Sequence, residues 1–311
     1  MAEPSVAIIL VNWNTFDFSK SCIEQLHELS YHNFKIILVD NGSSDGSGEK
    51  LKSLFPEVTY IKNENNQGFT GGNNIGIEHA LKENFDLIFL LNNDTYFGKD
   101  FLSPLVRFLE KNQSVGAVQP LIFENEKRDK VWHAGGKFSR FKGSSKSIKV
   151  KNSLNSPYSS DWLTGCALMI RSSIVREIGP LKATYFAYFE DVDWSLRIRK
   201  TGLELYIVPQ SMIYHEVSGS TKSKKRAKEG FLSPLAHYLN IRNQLLLLKS
   251  HPDRVFIPSA WAYQILKISI YLSYFVLRLR FKKFKAAFAG LKAGLNHDPN
   301  SEKLPSIQCY L

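Results

Sequence analysis

The first 120 residues alternate between two kinds of segment, and that alternation constrains the fold more than any single residue does. Short, nearly continuous apolar runs at Val6–Val11, Lys35–Val39, Val58–Ile61, Leu87–Leu91 and Val115–Gln119 read as strands. Between them, Asp17–Leu29, Gly46–Leu54, Asn73–Asn84 and Phe101–Lys111 read as helices. Strands that are apolar on both faces must be buried on both. A repeating strand–helix–strand order closes as right-handed crossovers on a mostly parallel sheet. The expected class is therefore α/β, with a Rossmann-like sheet flanked by helices. Ligands of such open sheets sit at the carboxyl ends of the strands, so the residues that follow each strand matter most. Asn12-Trp13-Asn14 follows the first strand, Asp40 to Asp45 the second, Asn63 to Gly76 the third and Asn92-Asn93-Asp94 the fourth. One loop rich in Gly and Asn is ordinary turn chemistry. Four on the same edge predict a site.

With 311 residues, 43% hydrophobic and 22% charged, the chain has ample material for a core, which excludes disordered and fibrous classes. Its net charge of +11 is unevenly spread. From Arg254 to His297 there are eight basic residues and no acidic one, so only three of the eleven net charges belong to the rest. Nucleic-acid binding by the main body is not indicated. Cys22, Cys166 and Cys309 are far apart with no CxxC, which supports neither a disulfide framework nor a zinc site. The apolar run Val6–Val11 is too short for a signal peptide. The expectation is a cytoplasmic protein. Farther along, Lys137–Lys151 has six basic residues among Ser and Gly and reads as a mobile surface loop. Trp162–Ile170 reads as a strand, Asp191–Lys200 as a short helix, Leu205–Val208 as a strand leading to His215, and 219–228 as a flap.

Two constellations carry chemistry. Asp94 ends an apolar strand behind two asparagines. A carboxylate there suits a hard divalent cation, which prefers oxygen ligands and completes its shell with water or phosphate; a turn or helix-capping aspartate would look the same. The second is Glu190-Asp191-Val192-Asp193-Trp194. Neighbouring carboxylates with partial burial have raised pKa values suited to a general base, and an acid cluster capping a helix N-terminus is the plain alternative. Asp193 reads as structural.

As an ordered set, these residues resemble the family-2 glycosyltransferases of GT-A fold, in particular the bacterial rhamnosyltransferase-like branch that builds surface polysaccharides. The match is carried by Val11-Asn12-Trp13-Asn14, Val39 to Gly46, and Asn66-x-Gly68-Phe69-x-Gly71-Gly72-Asn73-Asn74-x-Gly76. It continues with Leu91-Asn92-Asn93-Asp94-Thr95, Gly165, Glu190 to Trp194 and His215, and covers roughly residues 5–250. The resemblance implies an inverting transfer of a sugar, rhamnose favoured, from a nucleoside-diphosphate donor to a glycan or lipid-linked acceptor. It places Val11, Asn12 and Asp40 at the nucleobase and ribose, the Gly71-Gly72-Asn73 turn against the donor, and Asn93 near the ribose. Asp94 and His215 would hold Mn²⁺ or Mg²⁺, Asp191 would be the base, and Glu190 would support it. Asn92 departs from the family's Asp-x-Asp pattern, so cation charge must be met by Asp94, phosphate and His215.

The resemblance assigns residues 1–250 to a catalytic domain and leaves 251–311 as a basic, apolar helical segment. Within Val255–Leu277 the cleanest apolar run, Ile268–Leu277, is ~15 Å long as a helix, short of a ~30 Å hydrocarbon core. The basic and aromatic stretch Arg278 to Lys285 follows. Amphipathic helices lying at a membrane interface are expected, with an oligomer contact or core helix as the alternative. Two other readings of the whole chain are a nucleotidyltransferase on a similar sheet and a non-catalytic nucleotide-sugar-binding protein. The first is disfavoured because Asn12-Trp13-Asn14 has no Lys or Arg to meet phosphate, the second because Asp94, Asp191 and His215 are all present.

Overall fold

The computed structural model describes residues 3–149, 155–216 and 232–299, with 301 and 304. The expected flap at 219–228, and Cys309, lie outside the described residues. In chain order the elements are β1 (Val6–Asn12), α1 (Phe16–His27), β2 (Phe34–Asn41), α2 (Ser47–Leu54), β3 (Thr59–Asn63), α3 (Gly68–Lys82) and β4 (Leu87–Leu91). Then come β5 (Thr95–Phe97), α4 (Leu102–Lys111), β6 (Val115–Glu124), β7 (Val131–His133), β8 (Gly136–Ser139) and β9 (Ser144–Ser147). They are followed by β10 (Tyr158–Ser160), β11 (Ala167–Arg171), α5 (Ser172–Ile178), α6 (Glu190–Lys200) and β12 (Glu204–His215). Three helices close the chain: α7 (Pro234–Ser250), α8 (Ile257–Leu277) and α9 (Phe281–Asn296).

The main sheet runs β3-β2-β1-β4-β11-β6-β12-β10. Its first four strands are parallel, as are β6 and β12, while β11 runs against both of its neighbours. Period-two alternation builds the two cores. Val6, Ile8 and Leu10 point to the face covered by α1, α2 and α4, and Ala7 and Ile9 to the face covered by α3, α5 and α6. In β12 the pairing with β6 slips between Val208 and Met212, where Pro209 lacks a ladder N–H. The bulge bends the strand, and its last residues pair with β5, setting His215 opposite Thr95.

The C-terminal helices fold onto this body. Helix α7, buried on nearly every side, lies against α9. Two glycines of α9 permit the approach: a Cβ on Gly290 would stand 2.4 Å from the Tyr238 carbonyl oxygen, and one on Gly294 3.0 Å from that of Arg242. Ile241 and Leu245 of α7 share a core with Ile268 and Phe275 of α8 and Ala287 of α9.

Four sequence expectations are corrected. Helix α3 begins at Gly68 rather than Asn73, because Asn66 Oδ1 accepts the Gly68 N–H at 2.8 Å and fixes the entry to the first turn. Gly71-Gly72-Asn73 is therefore helical, not a turn. The strand expected from Trp162 starts only at Ala167; Trp162 makes a single bridge to Gly136. The loop expected at Lys137–Lys151 contains the β8–β9 hairpin, held from outside by α8, since Gln264 Nε2 donates to the Lys142 carbonyl at 2.9 Å and Ser259 Oγ to that of Phe141 at 2.7 Å. Finally, α8 is one unbroken helix of 21 residues, long and apolar enough to cross a membrane. Pro258 does not interrupt it because it lies in the first turn, where its missing N–H is not needed.

Gly290→Ala places a methyl against backbone that cannot rotate away. We expect the change to cost about 1–3 kcal/mol despite the better helix propensity of Ala, read as a lower Tm. Gly98→Ala, where a Cβ meets open space, should leave Tm nearly unchanged.

Candidate active site

Six parallel strands deliver their ends to one edge of the sheet, and the reversed β11 begins there. A cleft of about 250 Å³ lies along that edge, lined among others by Val11, Trp13, Asn73, Asn93, Asp94 and Phe186. A larger hollow at the opposite edge, about 530 Å³, has Asp86, Arg171 and Arg176 already engaged with the chain. There Asp86 accepts from Ser5, and Arg171 and Arg176 donate to backbone carbonyls.

The asparagines at the strand ends tie the cleft together. Asn12 is fully buried, and its Nδ2 donates to Asp40 Oδ1 (3.2 Å), Ser43 Oγ (3.0 Å) and Ser47 Oγ (2.8 Å). Its Oδ1 accepts from Ser19 Oγ at 2.8 Å, and Ser19 in turn accepts from Asn93 Nδ2 at 2.7 Å. The side chains of Asn12, Asp40 and Asn93 are thus joined to one another through α1 and the Ser43–Ser47 turn. Asn41, to which the sequence assigned no role, bonds Asn63, Asn66, Gln67 and Gly68, welding β2 and β3 to the start of α3. Gly72 lets α3 sit close to the sheet, since a Cβ there would stand 2.8 Å from Val11. Gly71 faces the side chain of Gln67, the N-cap residue of α3. Of the residues expected at the donor, Val11, Asn73, Asn93 and Asp94 line the cleft, while Asn12, Asp40, Gly71 and Gly72 stand behind it.

Asp94 and His215 are brought together by the β5–β12 pairing. Glu216 N–H donates to the Asp94 carbonyl at 2.9 Å, and His215 Nε2 stands 3.2 Å from Asp94 Oδ1. That oxygen is buried without a hydrogen-bond partner. Neighbouring ligands of an octahedral ion bound at about 2.1 Å are about 3.0 Å apart, so the pair fits two adjacent positions on one small divalent cation. Among the described residues no group of three or more His, Cys, Asp and Glu could hold a metal. A cation here would complete its shell with water or ligand oxygens. Without one, burial opposes a charged imidazole at His215, but Cys166 and Asp94 beside it outweigh that effect and raise its pKa to about 11.

The second constellation sits at the N-terminus of α6. Asp191 Oδ2 accepts the Gly165 N–H at 3.1 Å, and Oδ1 accepts the Val192 N–H at 2.8 Å. Burial raises its pKa although these bonds oppose the rise. Burial, then the charge of Asp191, drives Glu190 well above the carboxylate range, and its Oε2 has no partner. The thiol of Cys166, buried and raised by that burial, lies within reach of the charges of both Asp94 and Asp191. The cation pair and the base candidate therefore share one edge.

Asp193, one residue past Val192, meets the opposite fate. Burial works against its charge, but His251 (2.9 Å), Arg197 (2.9 Å) and Lys182 (3.9 Å) outweigh it and hold the carboxyl below the usual range. It is structural, as the sequence indicated. The sequence left the roles of Trp13, Phe69, Phe186, Arg242 and Asn243 open. The first three line the cleft. The last two hold the loop before Glu190 (below), and their signal in the sequence is a polar pair inside a leucine-rich helix.

Residues 7–179 match the family model described as glycosyl transferase family 2. The chain is 25% identical over 282 residues to a low-salt glycan biosynthesis hexosyltransferase of Haloferax volcanii, covering 89% of this chain and 85% of that one. It is 27% identical over 234 residues to a rhamnosyltransferase of Escherichia coli K12, covering 70% and 86% respectively. Among solved structures, a mannosyltransferase of Pyrobaculum calidifontis in complex with GDP-Man and Mn²⁺ superposes with a TM-score of 0.58 at 12% identity. That comparison covers 95% of this chain and 88% of that one, and the shared fold is GT-A.

Glu190 keeps its proton in the folded protein above its ordinary pKa of 4.5, whereas the unfolded chain releases it. The folded state then binds more protons, so stability from this group is lost as pH rises above that value. We expect Glu190→Gln to unfold at higher urea than the parent at about pH 8, with the gap closing towards about pH 4.

Proposed function

This chain is a glycosyltransferase of family 2, and we propose that it moves a hexosyl group, rhamnose favoured, from a nucleoside-diphosphate donor to a glycan or lipid-linked acceptor of a cell-surface polysaccharide. The relatives named as hexosyl- and rhamnosyltransferases support the sugar class. One observation carries the reading: the buried Asp94 Oδ1, 3.2 Å from His215 Nε2, shares the carboxyl edge with an Asp191 pinned by Gly165 and Val192.

The chemistry follows from these groups. Asp94 and His215 would hold Mn²⁺ or Mg²⁺, which supplies Lewis-acid stabilisation of the departing diphosphate and makes a protonating acid unnecessary. Asp191 takes the proton of the acceptor hydroxyl as its oxygen bonds to the anomeric carbon and the carbon–phosphate oxygen bond breaks. A single displacement of this kind inverts the anomeric centre. The raised pKa of Asp191 suits it to accept that proton. Glu190, kept neutral by burial, adds no second anion beside the base. Val11, Trp13 and Asn73 would border the donor, and Asn12 and Asp40 would fix the loops from behind.

We further propose that residues 251–311 attach the enzyme to the cytoplasmic face of the membrane. The outward side of α8 carries exposed Ile265, Leu266, Ile270 and Leu277, and that of α9 carries Phe281, Phe288 and the exposed Lys282, Lys285 and Lys292. This is the composition of an interfacial surface beside anionic lipid. The inward side of α8 is bonded along its length: Gln264 holds the hairpin, and Tyr271 Oη is 3.2 Å from His237 Nδ1. These bonds favour lying on the bilayer over crossing it.

The enzyme should release one nucleotide from a panel of dTDP-rhamnose and UDP-hexoses, given Mn²⁺ and lipid-linked acceptor. Asp191→Asn should lose about 10²–10⁴-fold in kcat with donor affinity retained, and Asp94→Asn should lose metal-dependent donor binding. Silence with every donor, with no nucleotide binding by calorimetry, overturns the reading. In sedimentation, the full chain should bind vesicles rich in phosphatidylglycerol and leave neutral ones, with binding weakened by salt and by Lys282→Glu/Lys285→Glu. Binding to neither vesicle type rejects the membrane surface, and equal binding to both rejects the part assigned to the lysines and anionic lipid.

A further inference from the structure

We propose that Arg242 and Asn243 of α7 are positioning residues that hold the loop carrying Glu190 and Asp191 in a conformation it would not adopt by itself. The proposal rests on Asp191 being the base. Phe186, Tyr188 and Phe189 have φ values of 64°, 70° and 72°. Positive φ is uncommon outside glycine; three such residues within four positions are a conformation that the surroundings must impose. At Phe186 (φ 64°, ψ −57°) the chain makes a three-residue turn, closed by Ala187 N–H donating to the Tyr185 carbonyl at 2.7 Å, and positive-φ turns of this type are strained.

What imposes the shape is a short list of bonds. Asn243 Nδ2 donates to the carbonyls of Tyr185 (2.9 Å), Ala187 (2.8 Å) and Tyr188 (2.9 Å). Arg242 Nη1 donates to the Thr184 carbonyl at 2.7 Å and Nη2 to the Thr184 hydroxyl at 3.1 Å, while Nη1 also donates to Asn243 Oδ1 at 2.7 Å. From the other side, Thr70 N–H of α3 donates to the Phe186 carbonyl at 3.1 Å. Both α7 residues are buried to 1% exposure or less, and among the described residues no carboxylate pairs with Arg242. A helix that needed only packing would be served by leucine, as at Leu245 to Leu248. A buried guanidinium and carboxamide are costly unless their hydrogen bonds are made, and here nearly all of those bonds end on one loop. That loop lines the cleft with Phe186 and Ala187 and enters α6 directly at Glu190.

The test compares Asn243→Ala, Asn243→Ser and Asp191→Asn in the full chain with Mn²⁺, donor and acceptor. A base displaced by an ångström costs on the order of 10²-fold in rate. Asn243→Ala should therefore lower kcat by about 10–100-fold, while donor Kd by calorimetry and acceptor KM stay within about twofold. Asn243→Ser keeps one donor and should fall between, and it supplies the same readout if the alanine variant does not fold. Unchanged kcat in both Asn243 variants beside an inactive Asp191→Asn, or a loss confined to KM or Tm, overturns the positioning role alone. A fully active Asp191→Asn overturns the assignment of the base instead.

Discussion

The site depends on one reversal in the sheet. Every parallel strand brings its end to the carboxyl edge, but β11 runs the other way between β4 and β6 and so brings its beginning there. The residues before β11 thereby meet the residues after β4: Asn92 N–H donates to the Cys166 carbonyl at 2.8 Å. Gly165, one residue earlier, turns its N–H to Asp191, and a Cβ there would stand 2.9 Å from the Phe69 ring. A parallel strand in that place would put these residues at the opposite edge, and Asp191 would lose the Gly165 donor and keep only that of Val192.

Burial alone does not decide how the carboxylates of α6 behave. Glu190 and Asp193 are both buried and lie within one turn. Asp193 faces Arg197, His251 and Lys182 and stays charged. Glu190 faces no cation and keeps its proton, and Asp191, pinned by two backbone N–H groups, lies between these extremes. The helix thus separates a charged, structural Asp193 from the raised carboxyls of Glu190 and Asp191 through the partners that neighbouring elements supply, a difference of environment rather than of residue type.

Much of this was legible in the chain. Leu87–Leu91 is the strand as read, and the other four early strands differ mainly in length, because an uninterrupted apolar run signals burial on both faces. Asp94 and His215 could be singled out because each follows a strand-like segment, and the Glu190–Asp191 pair because neighbouring carboxylates open a short helix. What could not be read depends on contacts distant in sequence. The basic stretch at 137–149 contains a hairpin whose turn is bonded by α8, over a hundred residues later, at Lys142 and Phe141. Arg242 and Asn243 are a polar pair in a leucine-rich helix, but nothing local says that they reach back 55 to 58 residues to Thr184–Tyr188. Asn12 and Asn41 belonged to recognisable motifs, yet Asn12 serves the scaffold behind the cleft, and Asn41, which lines it, spends its side chain on Asn63, Asn66, Gln67 and Gly68.

The same contacts bear on how the C-terminal helices relate to the chemistry. Helix α7 touches the base loop through Arg242 and Asn243, and it meets α9 at the carbonyls of Tyr238 and Arg242, where Gly290 and Gly294 let the backbones approach. Helix α8 closes the set through Ile268 and Phe275, and through Tyr271 on His237. Residues 251–299 are therefore more than an appendage for attachment. They form the outer support of the helix that shapes the loop before Asp191. If their outward face rests on a bilayer as proposed, the packing of α8 and α9 on α7 would set the height of the catalytic edge above the lipid. An enzyme whose acceptor is anchored in the same surface needs that registration, since the acceptor hydroxyl can meet Asp191 only at one depth.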